Sequence, residues 1–381
     1  MTALATVETA ARSTTLTTDN AASSANDIAR LRLIRSDNIG PVTYRELIRR
    51  FGSAAAALSG LPDLAQRGGG AAPRIATYDQ AAREIDAVTR HGSTLIFIGE
   101  APYPALLEAS EAAPPVLSIR GDLGLLDRGM VAMVGARNAS AAACRFARGL
   151  ASDLADADLV VVSGLARGID AAAHWGALGG STIGVVAGGL DVAYPPENIE
   201  LQAKIAAQGL VIAEMPIGTQ PQARHFPRRN RIIAGLCAGT IVIEAAPKSG
   251  SLITARLAAE AGREVMAVPG SPLDPRAQGC NALIRDGATL VQSAADVLET
   301  LGTIAGQMAA PEVRYDPGPV ALEASDAEHR VIVALLSPTA VGVDELVRQS
   351  GLAPATVAGV LLDLELAGHL VRHAGGQVAA A

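Results

Sequence analysis

Four arginines, a histidine and a phenylalanine fall within eight residues at Arg224-His225-Phe226-Pro227-Arg228-Arg229-Asn230-Arg231, with no acid among them. A guanidinium fork matches the oxygens of a phosphate. An aromatic face can stack on a base for roughly 1–3 kcal/mol. Arg224, Arg228, Arg229 and Arg231 are therefore candidate phosphate ligands, and Phe226 is a candidate stacking platform. Between Met130 and Leu301 the chain has 14 basic and 15 acidic side chains, so this run is a patch on a near-neutral stretch. A solvated basic loop with Phe226 turned inward fits the same residues.

Three further segments could hold anions. Val134-Gly135-Ala136-Arg137-Asn138-Ala139-Ser140 combines a Gly turn, an Arg and a helix-capping Ser. Free amides at a helix N-terminus favour an anion, although an ordinary strand–helix turn has the same composition. Ser163-Gly164-Leu165-Ala166-Arg167-Gly168-Ile169-Asp170, followed by His174, places Ser, Asp and His within twelve residues. A hydrolase triad is disfavoured, because no G-x-S-x-G elbow surrounds the Ser. Asp170 and His174 are spaced to share a helix face, and a structural Asp–His contact is expected. Lys248-Ser249-Gly250-Ser251 opens another helix with small residues, hydroxyls and a charge. Neither the G-x-G-x-x-G dinucleotide fingerprint nor a G-x-x-x-x-G-K-[ST] loop is present, so no nucleotide cofactor is expected.

These segments lie at the ends of short apolar runs. Met130–Val134, Leu159–Val162, Thr182–Ala187, Leu210–Ala213, Thr240–Ile243 and Glu264–Val268 read as buried strands, most of them separated by Ala-rich helices. The alternation predicts an α/β fold, a Rossmann-like, mainly parallel sheet with helices on both faces. Ligands in such sheets bind outside the carboxyl ends of the strands. Leu95–Ile98 reads as an earlier strand, followed by a connecting region broken up by Pro102, Pro104, Pro114 and Pro115.

The flanks differ in character. Residues 1–25 are Ala/Thr/Ser-rich and read as a disordered leader. Residues 26–94 open with two helices joined at Asn38-Ile39-Gly40-Pro41, a helical hairpin whose turn amides could meet a nucleic-acid backbone or simply pack. The Rossmann-like domain is expected over 95–302 and a Gly/Pro-containing linker over 303–325. Three helical segments and a hairpin turning at Gly375-Gly376 make 326–381 a winged helix. That last domain has three arginines against six acids. Its presumed recognition helix, Pro354–Ala367, has no basic side chain and carries Asp363 and Glu365. A groove-reading helix should be basic or neutral. A protein-contact role through Val357, Val360, Leu361 and Leu364 fits better.

Composition sets the remaining bounds. The chain has 381 residues, a net charge of −7 and 49% hydrophobic residues. The acidic balance argues against coating nucleic acid through overall charge. Only two lysines are present, Lys204 and Lys248, so nearly every cation is an arginine. Three scattered cysteines make neither a metal spacing nor a disulfide framework, which suggests a reducing cytoplasm. No apolar run reaches the length of a membrane span.

Taken in order, VGARNAS, SGLARGIDAAAH, GLDVAYPPEN, FPRRNRIIAGL, EAAPKSGSLITARLA, AVPGS and GCNALIRDGA resemble the DprA/Smf family of bacterial DNA-processing proteins. The N-terminal module, sterile-alpha-motif-like or helix-hairpin-helix, and the winged helix fit as well. The resemblance implies a homodimer without catalytic activity. It implies binding of single-stranded DNA and loading of the RecA recombinase onto it during natural transformation and recombination, with single-strand binding protein as a further partner. Carried over by position, it implies DNA contacts at Gly135, Arg137, Ser163, Gly164, Arg167, Phe226, Arg228, Asn230, Arg231, Lys248, Ser249, Gly250 and Ser251. A second class shares the domain plan: nucleotide-cleaving enzymes such as the lysine-decarboxylase-like phosphoribohydrolases. Their P-G-G-x-G-T turn has only Pro269-Gly270-Ser271-Pro272 as a counterpart here.

Overall fold

The computed structural model describes residues 25–71, 73–307, 324–373 and 375–381. The expected leader lies outside them except for Ala25, which opens the first helix. Of the expected linker, 308–323 lie outside; the helix before it continues through Gln307. The chain divides into two units, one from Glu84 to Val313 and one joining the residues before it to those after it.

The larger unit is built on a nine-stranded sheet. Its strands are β1 (Thr94–Phe97), β2 (Val116–Gly121), β3 (Met130–Gly135), β4 (Val160–Ser163), β5 (Thr182–Val186), β6 (Leu210–Ala213), β7 (Gly239–Ile243), β8 (Glu264–Ala267) and β9 (Thr289–Leu290). They lie in the order β1-β2-β6-β5-β4-β3-β7-β8-β9. Strands β3 to β9 pair in parallel, while β2 runs antiparallel to both β6 and β1. Strand β2 arises in the proline-rich stretch read as a connection. The prolines before it are harmless because they precede the ladder rather than interrupt it.

Side chains alternate between the two faces, as the pleat requires. On β3, Met130, Ala132 and Val134 enter one core and Val131 and Met133 the other. The first face is covered by α9 (His225–Leu236), α10 (Gly250–Glu260) and α11 (Gln278–Arg285). The opposite face is covered by α6 (Ala141–Asp156), α7 (Ile169–Ala177), α8 (Ile199–Gln208) and α12 (Ala294–Gln307). The chain runs outward from β3 through β6 and then returns to β7 on the other side of β3. That reversal opens a crevice at the carboxyl ends of β3 and β7. Gly135 closes β3 there, where a Cβ would sit 1.9 Å from the Ile243 carbonyl oxygen.

The smaller unit holds the terminal modules. Helix α1 spans residues 25–35, followed by α2 (Pro41–Phe51) and α3 (Ala54–Arg67). The winged helix comprises α13 (Asp326–Leu335), α14 (Val343–Ser350) and α15 (Pro354–Leu366). Its sheet has β10 (Val341–Gly342), β11 (Leu370–His373) and β12 (Gln377–Ala380). Val357, Val360, Leu361 and Leu364 are consumed in its own core with Ile332, Leu346, Leu370 and Val378. This corrects the protein-contact role expected of them: spaced i, i+3, i+4 and i+7, they form the one apolar stripe that can close a three-helix core. Leu362, Asp363 and Leu366 are buried as well. On that side α15 meets α3, and a Cβ on Gly68 would lie 2.1 Å from the Asp363 carbonyl oxygen. Asn38, at φ 60° in the hairpin turn, donates from Nδ2 to the Leu366 carbonyl at 3.3 Å. Packing, rather than display of that turn, is what this unit makes of it.

Candidate nucleic-acid interface

The basic run is not a loop. From His225 it forms helix α9, which distributes its side chains around an axis. Phe226, Arg229, Asn230 and Ile233 share one face, at i, i+3, i+4 and i+7, and line the switch-point crevice. Arg224 and Arg228 are exposed and do not line it. Arg231 is turned the other way, donating to the Ala112 carbonyl and pairing with Glu214. Both members of that pair are largely buried, so the Arg231 guanidinium holds α9 to the core. The structure turns it away from the crevice in which it was expected to hold a phosphate.

Arg229 is the most unusual of the four. Its side chain is 6% exposed, and its Nη1 lies 4.0 Å from Asp170 Oδ2. Its Nε is buried with no hydrogen-bond partner among the described residues. Burial pushes its pKa down to about 10, against the pull of Asp170, so it remains a cation at neutral pH. Burial also raises the Asp170 carboxyl, while Arg229 and the amides of Ala166 and Gly164 oppose that rise. Those amides donate to Asp170 Oδ2 at 3.3 and 3.2 Å. Gly164 is needed beneath the arginine, since a Cβ there would fall 1.2 Å from Nη1.

The Ser163, Asp170 and His174 side chains are all buried but go to different partners. Ser163 Oγ donates to the Met133 carbonyl at 2.6 Å, tying β4 to β3. The hydroxyl is fully buried and does not line the crevice with the other DNA-binding candidates. His174 Nδ1 lies 2.7 Å from Thr182 Oγ1, which itself donates to the Val161 carbonyl. The expected Asp170–His174 contact is therefore replaced by two separate anchors. Burial lowers the His174 pKa to about 3. No triad forms from these three.

The crevice, about 560 Å³, is lined by Gly135, Arg137 and Asn138 after β3 and by Lys248, Ser249, Gly250 and Ser251 after β7. Ser249 caps α10, accepting from the Ser251 amide, with the two hydroxyls 2.7 Å apart. The positive end of α10 thus opens into the crevice. Next to it lies a smaller cavity of about 60 Å³, lined by Gly164, Arg167, Tyr194 and Pro195. Phe226, Arg137, Ala166 and Arg229 line both cavities. The Arg137 guanidinium sits 5.3 Å from the centre of the Phe226 ring, and Tyr194 meets that ring at 5.6 Å, tilted by 56°. Arg167 remains exposed, paired with Glu197.

Tyr194 and Arg276 join the site although neither was among the residues expected there. Tyr194 is 50% exposed in a chain with only 3% aromatics. Its signal was available: an aromatic in a Pro-rich loop of such a chain has no core to fill. Arg276 also lines the crevice, but its single charge in a Pro-rich turn has no sequence signal.

Comparison with known proteins gives a consistent relationship. Residues 94–302 match the family model described as DNA recombination-mediator protein A. Residues 24–87 match a DprA-like N-terminal HHH domain, and residues 316–376 a DprA winged helix domain. The DNA processing protein DprA of Streptococcus pneumoniae is 50% identical over 198 residues, 51% of this chain and 70% of that protein. A putative DNA processing protein DprA of Mycobacterium tuberculosis is 37% identical over 326 residues, 79% of this chain and 83% of that one. Among solved structures, S. pneumoniae DprA matches with TM-score 0.55 at 45% identity, over 58% of this chain and 77% of that one. DprA from Helicobacter pylori, described for its single-stranded DNA binding mode, matches with TM-score 0.51 at 29% identity, over 56% and 96%.

Proposed function

The chain belongs to the DNA recombination-mediator protein A family, and from that premise we propose that it binds single-stranded DNA in the switch-point crevice and loads the RecA recombinase onto it. The observation that carries the reading is Arg229, a buried cation in the wall of both cavities whose Nε has no hydrogen-bond partner among the described residues. Arg137, Lys248 and the N-terminus of α10 add positive potential along the same crevice. Phosphates would track this path. Phe226 and Tyr194 would take bases, since every base has a face to stack and no hydrogen-bond code is needed. A duplex offers no free base faces, so a single strand is the better ligand.

The role is that of a cytoplasmic mediator rather than an enzyme, and the family resemblance supports a homodimer, RecA and single-strand binding protein as its partners. Ser163, the nearest hydroxyl that could serve as a nucleophile in a Ser/His/Asp arrangement, is sealed in the sheet. The test is a titration of oligo-dT against duplex of equal length at two salt concentrations. Tighter binding of the single strand, falling steeply with salt, is expected. Equal affinity for both ligands, or release of base from AMP, would overturn the reading.

A further inference from the structure

Resting on that reading, we infer that Arg276 is a further phosphate ligand, one that reaches the crevice from the β8 side. It comes from the turn after β8, beyond β7 from the strand that supplies Arg137. The turn is held rigidly: the Asn281 side chain accepts from the Gly270 amide at 3.1 Å and donates to the Gly270 carbonyl at 2.9 Å. Asp274 then orients the guanidinium. Its Oδ1 accepts from the Arg276 amide at 2.9 Å and from Nε at 3.1 Å, and its Oδ2 accepts from Nη2 at 2.8 Å.

This pair differs in kind from Arg231 and Glu214. The Arg276 and Asp274 side chains are 44% and 30% exposed, and an ion pair in that setting adds little to stability. What the pair does is fix a planar fork while leaving donors over: an arginine has five N–H groups, and Asp274 engages only Nε and Nη2 of the side chain. Glu244, the other carboxylate acting on Arg276, is itself occupied by the Ser140 amide and hydroxyl at 2.8 and 2.6 Å. A pre-oriented cation facing the same cavity as Lys248 and the start of α10 suits a phosphate there.

The full-length protein tests this by oligo-dT binding across a salt series. Arg276→Gln should make the slope of log K against log salt shallower by about 0.7, the share of one phosphate on a single strand, or about fivefold weaker binding at 0.1 M salt. Arg276→Lys, which keeps the charge, should hold the slope. Arg256→Gln removes an equal charge from α10 at a residue paired with Glu260 and outside the crevice, and should change nothing. An unchanged slope in Arg276→Gln, an equal change in Arg256→Gln, or a loss in Arg276→Lys would each overturn the inference alone. A wild-type protein that fails to bind oligo-dT would overturn the proposed function and this inference with it.

Discussion

Arg229 and Asp170 face each other at 4.0 Å, both with side chains less than a tenth exposed. The pair joins α9 to the first turn of α7, whose Asp170 also holds the Gly164 and Ala166 amides after β4, and so couples the wall of the crevice to the sheet. Removing one partner strands the other as a buried charge. Asp170→Asn should lower the unfolding free energy by about 3–5 kcal/mol, read by urea denaturation. A loss below 1 kcal/mol would show that the pair is not a structural anchor.

His174 makes a pH prediction. Its folded pKa, near 3, lies below the ordinary value of 6.5, so the unfolded chain takes up the proton first. The stability this residue contributes is complete above pH 6.5 and is lost as pH falls toward 3, at about 1.4 kcal/mol per unit. His174→Asn keeps a donor near Thr182 without the titration. The gap in stability between wild type and variant should narrow from pH 7 to pH 4.5; a constant gap would refute the burial argument.

Stacking and charge separate in the binding data. Phe226→Ala and Tyr194→Ala should weaken oligo-dT binding by about 5- to 150-fold, equivalent to 1–3 kcal/mol per base, with the salt slope nearly unchanged. Lys248→Ala should do the reverse, flattening the slope. Fluorescence anisotropy at four salt concentrations distinguishes the two signatures.

Arg231→Ala should behave as a stability variant. Its ion pair with Glu214 is largely buried, so thermal unfolding should shift downward while the salt slope of oligo-dT binding stays at the wild-type value. A flattened slope in folded Arg231→Ala protein would return this residue to the DNA path.

In the terminal unit, Gly68→Ala would force a Cβ into the Asp363 carbonyl. Overpacking of this kind costs about 1–3 kcal/mol. Limited proteolysis should cut faster around α3 in the variant, and equal rates would mean that the contact with α15 is dispensable.

Six of the seven parallel strands were legible because each is a short, mostly buried apolar run, and β6 at Leu210–Ala213 matches the run that announces it; β9 at Thr289–Leu290, two residues at the sheet edge, was not. The winged helix was legible because its three helical segments and its turn at Gly375-Gly376 are local signals. Strand β2 was hidden because prolines in its approach mask a ladder that depends on distant β6. The motif turns announced a crevice lined by glycines, hydroxyls and cations, since Gly, Ser and Arg types at strand ends are themselves the chemistry. Their division of labour was not encoded locally. Arg229 and Arg231 are two residues apart and chemically identical, yet the 100° step of a helix sends one into the crevice and the other onto Glu214. Sequence alone determined that cations and glycines would gather at the strand ends. Only the tertiary structure, by setting which side chains protein acceptors hold and which way each helix turns them, decided which of those cations face the crevice.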